Sequence, residues 1–271
     1  MAHLSSTPFD FDKIRASLQQ QSCEWIDQFE FFESIGSSNT ELMRQDTLHG
    51  KVYVADFQTE GKGRLGKRWQ SGAGSSLMFS LGWSPDVALT APLSLVVGVA
   101  LVDALRQLGV QNVGLKWPND VLAGEAKLAG ILVESKTLGA RTHYVIGVGL
   151  NIWHQTAGLS EVEQAWTDLH ALGFELDRTV ILSTILIGLD KRFRQLLEHG
   201  FAPIRQDWLA RHALQDARVS FQHGNEIREG KIMGINQLGA LEIQTQNGLE
   251  VLHSGEINTV RLNSKQANNH G

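Results

Sequence analysis

Between Pro92 and Gly109 the chain places Leu93, Val96, Val97, Ala100, Leu101, Ala104, Leu105 and Leu108 on one helical face. A stripe that apolar has to be covered, and the flanking segments are its natural cover. Ser76-Leu-Met-Phe-Ser-Leu-Gly-Trp83 reads as a strand whose alternation is blurred, as in a sheet buried on both faces. Downstream, Gly114 to Ala123 and Lys127 to Glu134 read as two apolar strands joined by a short turn at Gly124-Glu125. Pro92 is expected early in the helix and Gly109 just past its end. Helix on sheet is the predicted core.

Further strands are predicted at 28–32, 51–58 and 143–150, with a short helix over 10–20 and a helical turn over 40–46. Asp177 is placed to cap a long amphipathic helix to about His199, with Leu182, Ile185, Leu186, Leu189 and Phe193 inward. A shorter helix follows over 203–214, and residues 1–10 look untethered. After Gln215 the texture changes to short strands at 219–223, 226–235, 240–244 and 249–253, separated by Gly-Asn, Leu-Gly and Asn-Gly turns. The fold class is therefore α+β: a mixed β-sheet flanked by helices over residues 1–214, then a small β-barrel over 217–263.

A formal net charge of −5 argues against a nucleic-acid backbone as the main ligand. Cys23 is the only cysteine, which excludes an intramolecular disulfide and cysteine metal sites, and it is expected to be inert. The start lacks a signal-peptide pattern, and the longest apolar run, 91–102, is too short for a membrane span. A soluble, cytoplasmic protein is expected.

Against that acidic background one loop stands out. Gly61-Lys-Gly-Arg-Leu-Gly-Lys-Arg68, followed by Trp69, packs four cations and three glycines into eight positions, and no Asp or Glu follows until Asp86. Glycines let backbone N–H groups approach an anion, while Lys and Arg supply charge. The spacing is neither that of a Walker A loop nor that of the dinucleotide fingerprint. On these residues alone the stretch is either an anion-binding loop or an ordinary solvated one. Lys116-Trp-Pro-Asn-Asp120 and Lys127-Leu-Ala-Gly130 add two lysines inside apolar strands, positions that lysine usually avoids.

Taken together, these segments resemble the catalytic domain of a biotin protein ligase. Ser37-Ser38-Asn39, Gln58, Gly147-Val-Gly-Leu-Asn151, Gly234-Ile-Asn-Gln-Leu-Gly239 and Gly255-Glu256-Ile257 extend the match over about residues 29–262. The resemblance implies a class II aminoacyl-tRNA-synthetase-like catalytic domain and an SH3-like C-terminal barrel. It implies a ligase that makes biotinyl-5′-AMP from biotin and ATP with Mg²⁺, then passes biotin to a lysine of a biotin carboxyl carrier domain. By the same carry-over, biotin is bound by Ser37, Ser38, Asn39, Gln58, Lys62, Gly63, Arg64, Trp69 and Lys127. ATP is bound by Arg64, Lys67, Lys116, Asn119 and Asn151, with Arg64 and Lys127 carrying the transition-state charge. Metal ligands stay unassigned. For Trp69 a wall beside the biotin rings and a plain core aromatic are both open, and the Ser-Ser-Asn triplet also suits a helix cap. Asp120 suits Mg²⁺ binding, positioning of Lys116, or turn capping. Many relatives carry arginine where Lys62 stands, so Lys62 keeps the charge but lacks the bidentate fork.

Some members carry a DNA-binding head of about sixty residues. About 28 precede the first strand here, so no DNA binding is expected, and a monomer or homodimer is. Lipoate ligation, a non-catalytic biotin sensor and a nucleic-acid module are the rivals. Lys-Trp-Pro-Asn-Asp and Ser-Ser-Asn favour biotin over lipoate.

Overall fold

The computed structural model describes residues 9–139, 141–153, 165–224 and 226–260. Seven strands, β1 (Gln28–Phe32), β2 (Lys51–Ala55), β3 (Ser76–Trp83), β4 (Val113–Lys116), β5 (Asp120–Ala123), β6 (Ala126–Leu138) and β7 (Arg141–Asn151), form one sheet in the order β1-β2-β3-β7-β6-β5-β4. Only β1 and β2 are parallel, so the sheet is mixed.

Two strands were expected around Lys116 and Lys127, but there are three. Residues 117–119 turn the chain, and β4 pairs back on β5 with Lys116 opposite Asp120. Pro118 has no N–H for a ladder, and the Trp117 indole is buried, donating to the Gly239 carbonyl at 3.1 Å. The strand expected over 51–58 stops at Ala55.

Five helices accompany the sheet: α1 (Phe11–Gln20), α2 (Ser38–Met43), α3 (Leu93–Gln107), α4 (Arg178–His199) and α5 (Phe201–Leu209). The expected stripe on α3 understates its burial. Leu95, Val99 and Val102 are buried as well, because α3 lies between the sheet and α4 and α5. Pro92 sits at the N-cap position instead of inside the first turn. The five predicted inward positions of α4 are buried, and the Phe193 ring stacks on Trp83 with centroids 4.1 Å apart. Asp177 and Asp10 cap α4 and α1 through the N–H groups of Val180 (3.0 Å) and Lys13 (2.9 Å). The turn expected over 40–46 is a helix that starts at Ser38, capped by the Ser37 hydroxyl.

The helix expected over 203–214 covers Phe201–Leu209. Beyond it the chain lies along the edge of β4, where Leu115 N–H donates to Arg211 (2.7 Å) and Ala213 N–H to Leu115 (2.9 Å). This contact covers an otherwise open sheet edge. Of the residues expected to be untethered, 1–8 lie outside the described set, and the other two are held. Phe9 lies under the Arg178 guanidinium (4.5 Å), and Asp10 N–H donates to Thr179 Oγ1 (3.2 Å).

The C-terminal part is a five-stranded antiparallel sheet, ordered β11-β10-β9-β8-β12. Its strands are β8 (Arg218–His223), β9 (Glu226–Ile235), β10 (Leu241–Thr245), β11 (Gly248–Leu252) and β12 (Ile257–Thr259). The last of these was not among the expected strands, and residues 261–263 of the expected domain lie outside the described set. Gly239, at φ +76°, seats this unit on the start of α3: a Cβ there would lie 2.4 Å from Pro92.

Candidate active site

Side-chain alternation divides the large sheet into a helix face and an open face. Leu77, Phe79 and Leu81 of β3, Ile131 of β6, and Ile146, Val148 and Leu150 of β7 enter the core beneath α3 and α4. The residues between them point the other way, toward α2. Register aligns these in rows: Ser80, Gly147 and Leu132; then Met78, Gly149 and Gly130. Three glycines thus leave a flat floor on the open face. A Cβ at Gly149 would stand 2.5 Å from the Trp69 indole, one at Gly130 2.9 Å from it, and one at Gly147 2.4 Å from Asn39.

Over this floor opens a cleft of about 710 Å³. Every residue named as a candidate from the sequence lines it: Ser37, Ser38, Asn39, Gln58, Lys62, Gly63, Arg64, Lys67, Trp69, Lys116, Asn119, Lys127 and Asn151. The cationic loop folds on itself, with Gly63 N–H donating to Lys67 (2.7 Å) and Trp69 N–H to Gly61 (2.9 Å). It also reaches the C-terminal sheet. Arg64 Nη1 donates to the Gly255 carbonyl at 3.3 Å, and Lys67 Nζ meets Glu256 at 2.6 Å. Burial lowers the Arg64 pKa, with Glu256 and Asp120 opposing. Trp69 lies flat on the glycines with Lys127 Nζ 5.7 Å from its ring centre, and its buried Nε1 has no hydrogen-bond partner among the described residues.

Lys127 and Lys116 differ in their surroundings. Lys127 Nζ pairs with Asp120 at 2.7 Å, so the Asp120 carboxylate answers Lys127 instead of capping the turn. Burial lowers the Lys116 pKa, while Asp120 raises it and Lys127 lowers it further. Lys116 has no carboxylate within ion-pair distance among the described residues.

Three candidates line the cleft with their amides already engaged. Asn119 Nδ2 donates across the sheet to the Ile131 carbonyl (2.7 Å). Asn151 is buried, with Nδ2 on the Thr167 carbonyl (2.9 Å). Asn39 is bonded at both ends, Nδ2 to Glu134 (2.9 Å) and Oδ1 from Ser80 (2.6 Å). Ser38 N–H donates to Gln58 Oε1 (2.8 Å), and the Gln58 Nε2 contacts Met78 Sδ (3.2 Å).

The Biotin/lipoate A/B protein ligase family model matches residues 31–151, and the biotin protein ligase C-terminal domain model matches 217–258. The biotin–[acetyl-CoA-carboxylase] ligase of Mycobacterium tuberculosis is 32% identical over 92% of this chain and 95% of its own. The bifunctional ligase/repressor BirA of Bacillus spizizenii is 33% identical over 80% of this chain and 68% of its own. The chain belongs to the biotin protein ligase family. In structure, the Aquifex aeolicus biotin protein ligase in complex with biotin and ATP is similar at a TM-score of 0.75 and 27% identity, covering 87% of this chain and 99% of that one.

Within this biotin protein ligase fold, sequence reasoning missed Ser80, Glu134 and Met78. Two of them had a visible signal, since Ser80 and Glu134 are polar side chains inside or at the end of apolar strand runs, whereas Met78 is one apolar residue among others in its strand. Cys23 is buried, and burial together with Asp190 pushes its thiol up to about 12, as suits an inert residue. No described helix is long and apolar enough to cross a membrane.

Proposed function

We propose that this chain is an ATP-dependent ligase that activates biotin as biotinyl-5′-AMP and transfers it to a lysine of a biotin carboxyl carrier domain. The observation that carries the reading is the convergence of Lys62, Arg64, Lys67, Lys116 and Lys127 on one cleft floored by glycines. The setting is a family in which the Aquifex relative is solved with biotin and ATP and the mycobacterial relative is named for carboxylase biotinylation.

In the first step a biotin carboxylate oxygen bonds to the α-phosphorus as the bond from that phosphorus to the pyrophosphate oxygen breaks. Two anions have to meet, so fixed cations are needed where their charge concentrates. Arg64 and Lys127 are assigned to that charge, Lys67 and Lys116 to the triphosphate, and Ser38 and Gln58 to the biotin rings. Ser37 caps the helix that carries Ser38. Trp69 and the glycine floor give the bicyclic ring an apolar surface. In the second step the acceptor amine attacks the acyl carbon and AMP leaves. Because the mixed anhydride is prone to hydrolysis, the loop over 61–69 also serves to exclude water.

Six cationic side chains and the carboxylates of Asp120, Glu125 and Glu256 line the cleft. The described residues contain no group of three or more potential ligands arranged for a metal ion. Such a donor set suits Mg²⁺ that arrives on the nucleotide, since Mg²⁺ keeps several waters and takes one or two carboxylates plus phosphates. When bound it neutralises phosphate charge. Asp120 and Glu256 are the carboxylates nearest the cations that would face those phosphates. The same reading divides the chain into a catalytic domain, 1–214, of class II synthetase type and an SH3-like barrel, 217–263. The short antiparallel strands and the C-terminal family match support it. The site of action is the cytoplasm, where carboxylases and ATP meet.

The decisive test is incubation with ATP, Mg²⁺, radiolabelled biotin and a carrier domain. Label on the acceptor lysine is expected. Transfer of lipoate but not biotin in a parallel tube overturns the assignment.

A further inference from the structure

Two side chains of β6 fasten α2 to the sheet. Lys136 Nζ donates to the carbonyls of Met43 (2.6 Å), its last residue, and Gln45 (2.8 Å), just past its end. At its start Glu134 accepts from Asn39 Nδ2 at 2.9 Å. The first contact holds the helix in place. The second also fixes where hydrogens sit along the chain of groups behind it.

A carboxylate only accepts, and so does the Leu132 carbonyl, which lies 3.3 Å from the same nitrogen. The Asn39 amide therefore has its NH₂ toward β6 and its oxygen toward Ser80. Ser80, wholly buried, must then donate its one hydroxyl hydrogen to Asn39 Oδ1 at 2.6 Å. Its oxygen is left with lone pairs facing Ser38 Oγ at 2.7 Å. Two oxygens at that distance repel unless a hydrogen lies between them, so Ser38 donates to Ser80. The alternative acceptor for the Ser38 hydroxyl, Gln58 Oε1, is farther away at 3.2 Å, and a hydrogen sent there would leave the 2.7 Å contact with Ser80 without one. Ser38 thus turns only lone pairs toward the cleft.

We propose that Glu134 is a positioning residue which sets the direction of this relay, making the Ser38 hydroxyl an obligate acceptor for a ring N–H of the ligand. The proposal rests on the biotin reading above, whose ureido ring carries such N–H groups. It assigns Asn39 and Ser80 to orientation instead of contact. A ligand ring with no N–H at that point leaves a buried acceptor unmet.

The test compares Glu134→Met, which keeps length and removes the acceptor, with Glu134→Gln, which keeps an acceptor and removes the charge. Biotin binding by calorimetry, KM for biotin and ATP in pyrophosphate exchange, and melting curves are measured for each. Glu134→Met is expected to weaken biotin binding and raise its KM about ten-fold, the scale of one hydrogen bond, with KM for ATP unchanged. Glu134→Gln should stay within about three-fold of the parent. A purely structural role would instead lower the active fraction and leave KM for biotin alone. If Glu134→Met binds biotin like the parent, or Glu134→Gln is as impaired as Glu134→Met, the relay does not act as described. Should Glu134→Met fail to fold, Ser80→Ala cuts the same relay at its middle. It is expected to show the same split, and unchanged biotin affinity there overturns the proposal too. A parental protein that binds no biotin is a different result: it removes the functional reading and the ligand of the relay with it.

Discussion

Replacing Gly149 with alanine tests how the sheet floor and the cationic loop work together. The added Cβ would stand 2.5 Å from Trp69 Cε2 and 2.6 Å from Cζ2. Carbon atoms rest at about 3.5–4.0 Å, so the indole has to rise by about 1 Å. The sheet cannot yield, because β7 is hydrogen-bonded on both sides, with Gly149 between Met78 and Gly130. The loop can, since few bonds hold it: three internal backbone contacts, the Arg68 guanidinium on the Thr59 carbonyl, and its links to Gly255 and Glu256. Overpacking a rigid core costs about 1–3 kcal/mol, and relief through the loop should leave a stability loss at or below about 1 kcal/mol. For a chain of this size that is a few degrees in Tm. Activity should suffer far more. Lys62, Arg64 and Lys67 move with Trp69, and misplacing reacting groups by about 1 Å can cost about a hundred-fold. Biotin-dependent pyrophosphate exchange is therefore expected to fall between ten- and a hundred-fold while the melting curve hardly moves. In Trp69→Ala the added methyl meets no indole, so the double variant should be no worse than Trp69→Ala alone. Parental exchange in Gly149→Ala, or additive losses in the double variant, would refute the idea that the loop is positioned through this contact.

Arg64→Ala should lower exchange by about two to three orders of magnitude, as when one preorganised donor is lost, and Lys127→Ala should weaken biotin binding with the fold intact. Parental rates in both would return the loop to an ordinary surface role. Burial pushes the His212 imidazole down to about 4, against the opposing hydrogen bond with Gln215. The folded state therefore favours neutral histidine, with its contribution complete above the ordinary 6.5 and lost as pH falls from there toward about 4. Urea titrations of His212→Gln should flatten that window by about 3 kcal/mol, and parallel curves would refute the assignment. Arg192 bridges Asp103 and Asp207 at 2.5 Å each, joining α3, α4 and the end of α5, where Arg211 completes the ring. Arg192→Met should cost about 2 kcal/mol in urea, less than a fully buried pair because both carboxylates are partly exposed. A loss within error would mean that the ring is only a surface feature.

What was legible in the sequence follows from range. Strand β3 and helix α4 come from patterns a few residues long, and they appear where periodicity places them. The burial of α3 beyond its apolar stripe was not legible, because it depends on α4 and α5 packing against it from far along the chain. The division of one expected strand into β4 and β5 had a local signal in Pro118, which has no N–H for a ladder, while the Trp117 contact with Gly239 that accompanies it lies 122 residues away. At the site, residue type singled out the cationic loop, Lys116 and Lys127, since charge and glycine are intrinsic, while Ser37, Gln58, Asn119 and Asn151 were named only through the family resemblance; all of them line one cleft. Roles were harder. Whether Asn119 and Asn151 present free amides is decided by which carbonyls the sheet register sets beside them, and register is a pairwise property. The alternating Gly147 and Gly149 carried more information than their turn-forming reputation suggests. Spaced by two, they mark a strand face kept bare for something flat.

On the proposed reading, the electrostatics of the cleft bear on catalysis more than on capture. Lys127 already pairs with Asp120, and Lys67 with Glu256, so an arriving anion exchanges partners for these cations instead of meeting bare charge. Exchange of that kind adds less to ground-state affinity than an unpaired cation would, because a pair is lost for each one gained. It also prevents cations crowded into one cleft from repelling one another and driving the loop open. The benefit comes later, when negative charge concentrates on the transferring phosphoryl group and exceeds what a carboxylate in the same place would carry. Only an interaction that strengthens on the way to the transition state accelerates the step. By this argument Asp120→Asn should bind biotin at least as well as the parent and yet turn over more slowly, since an unpaired Lys127 would grip the ground state and lose its fixed position. Faster turnover in Asp120→Asn would mean that the carboxylate merely competes with the ligand, and the pairing would then be inhibition instead of preorganisation.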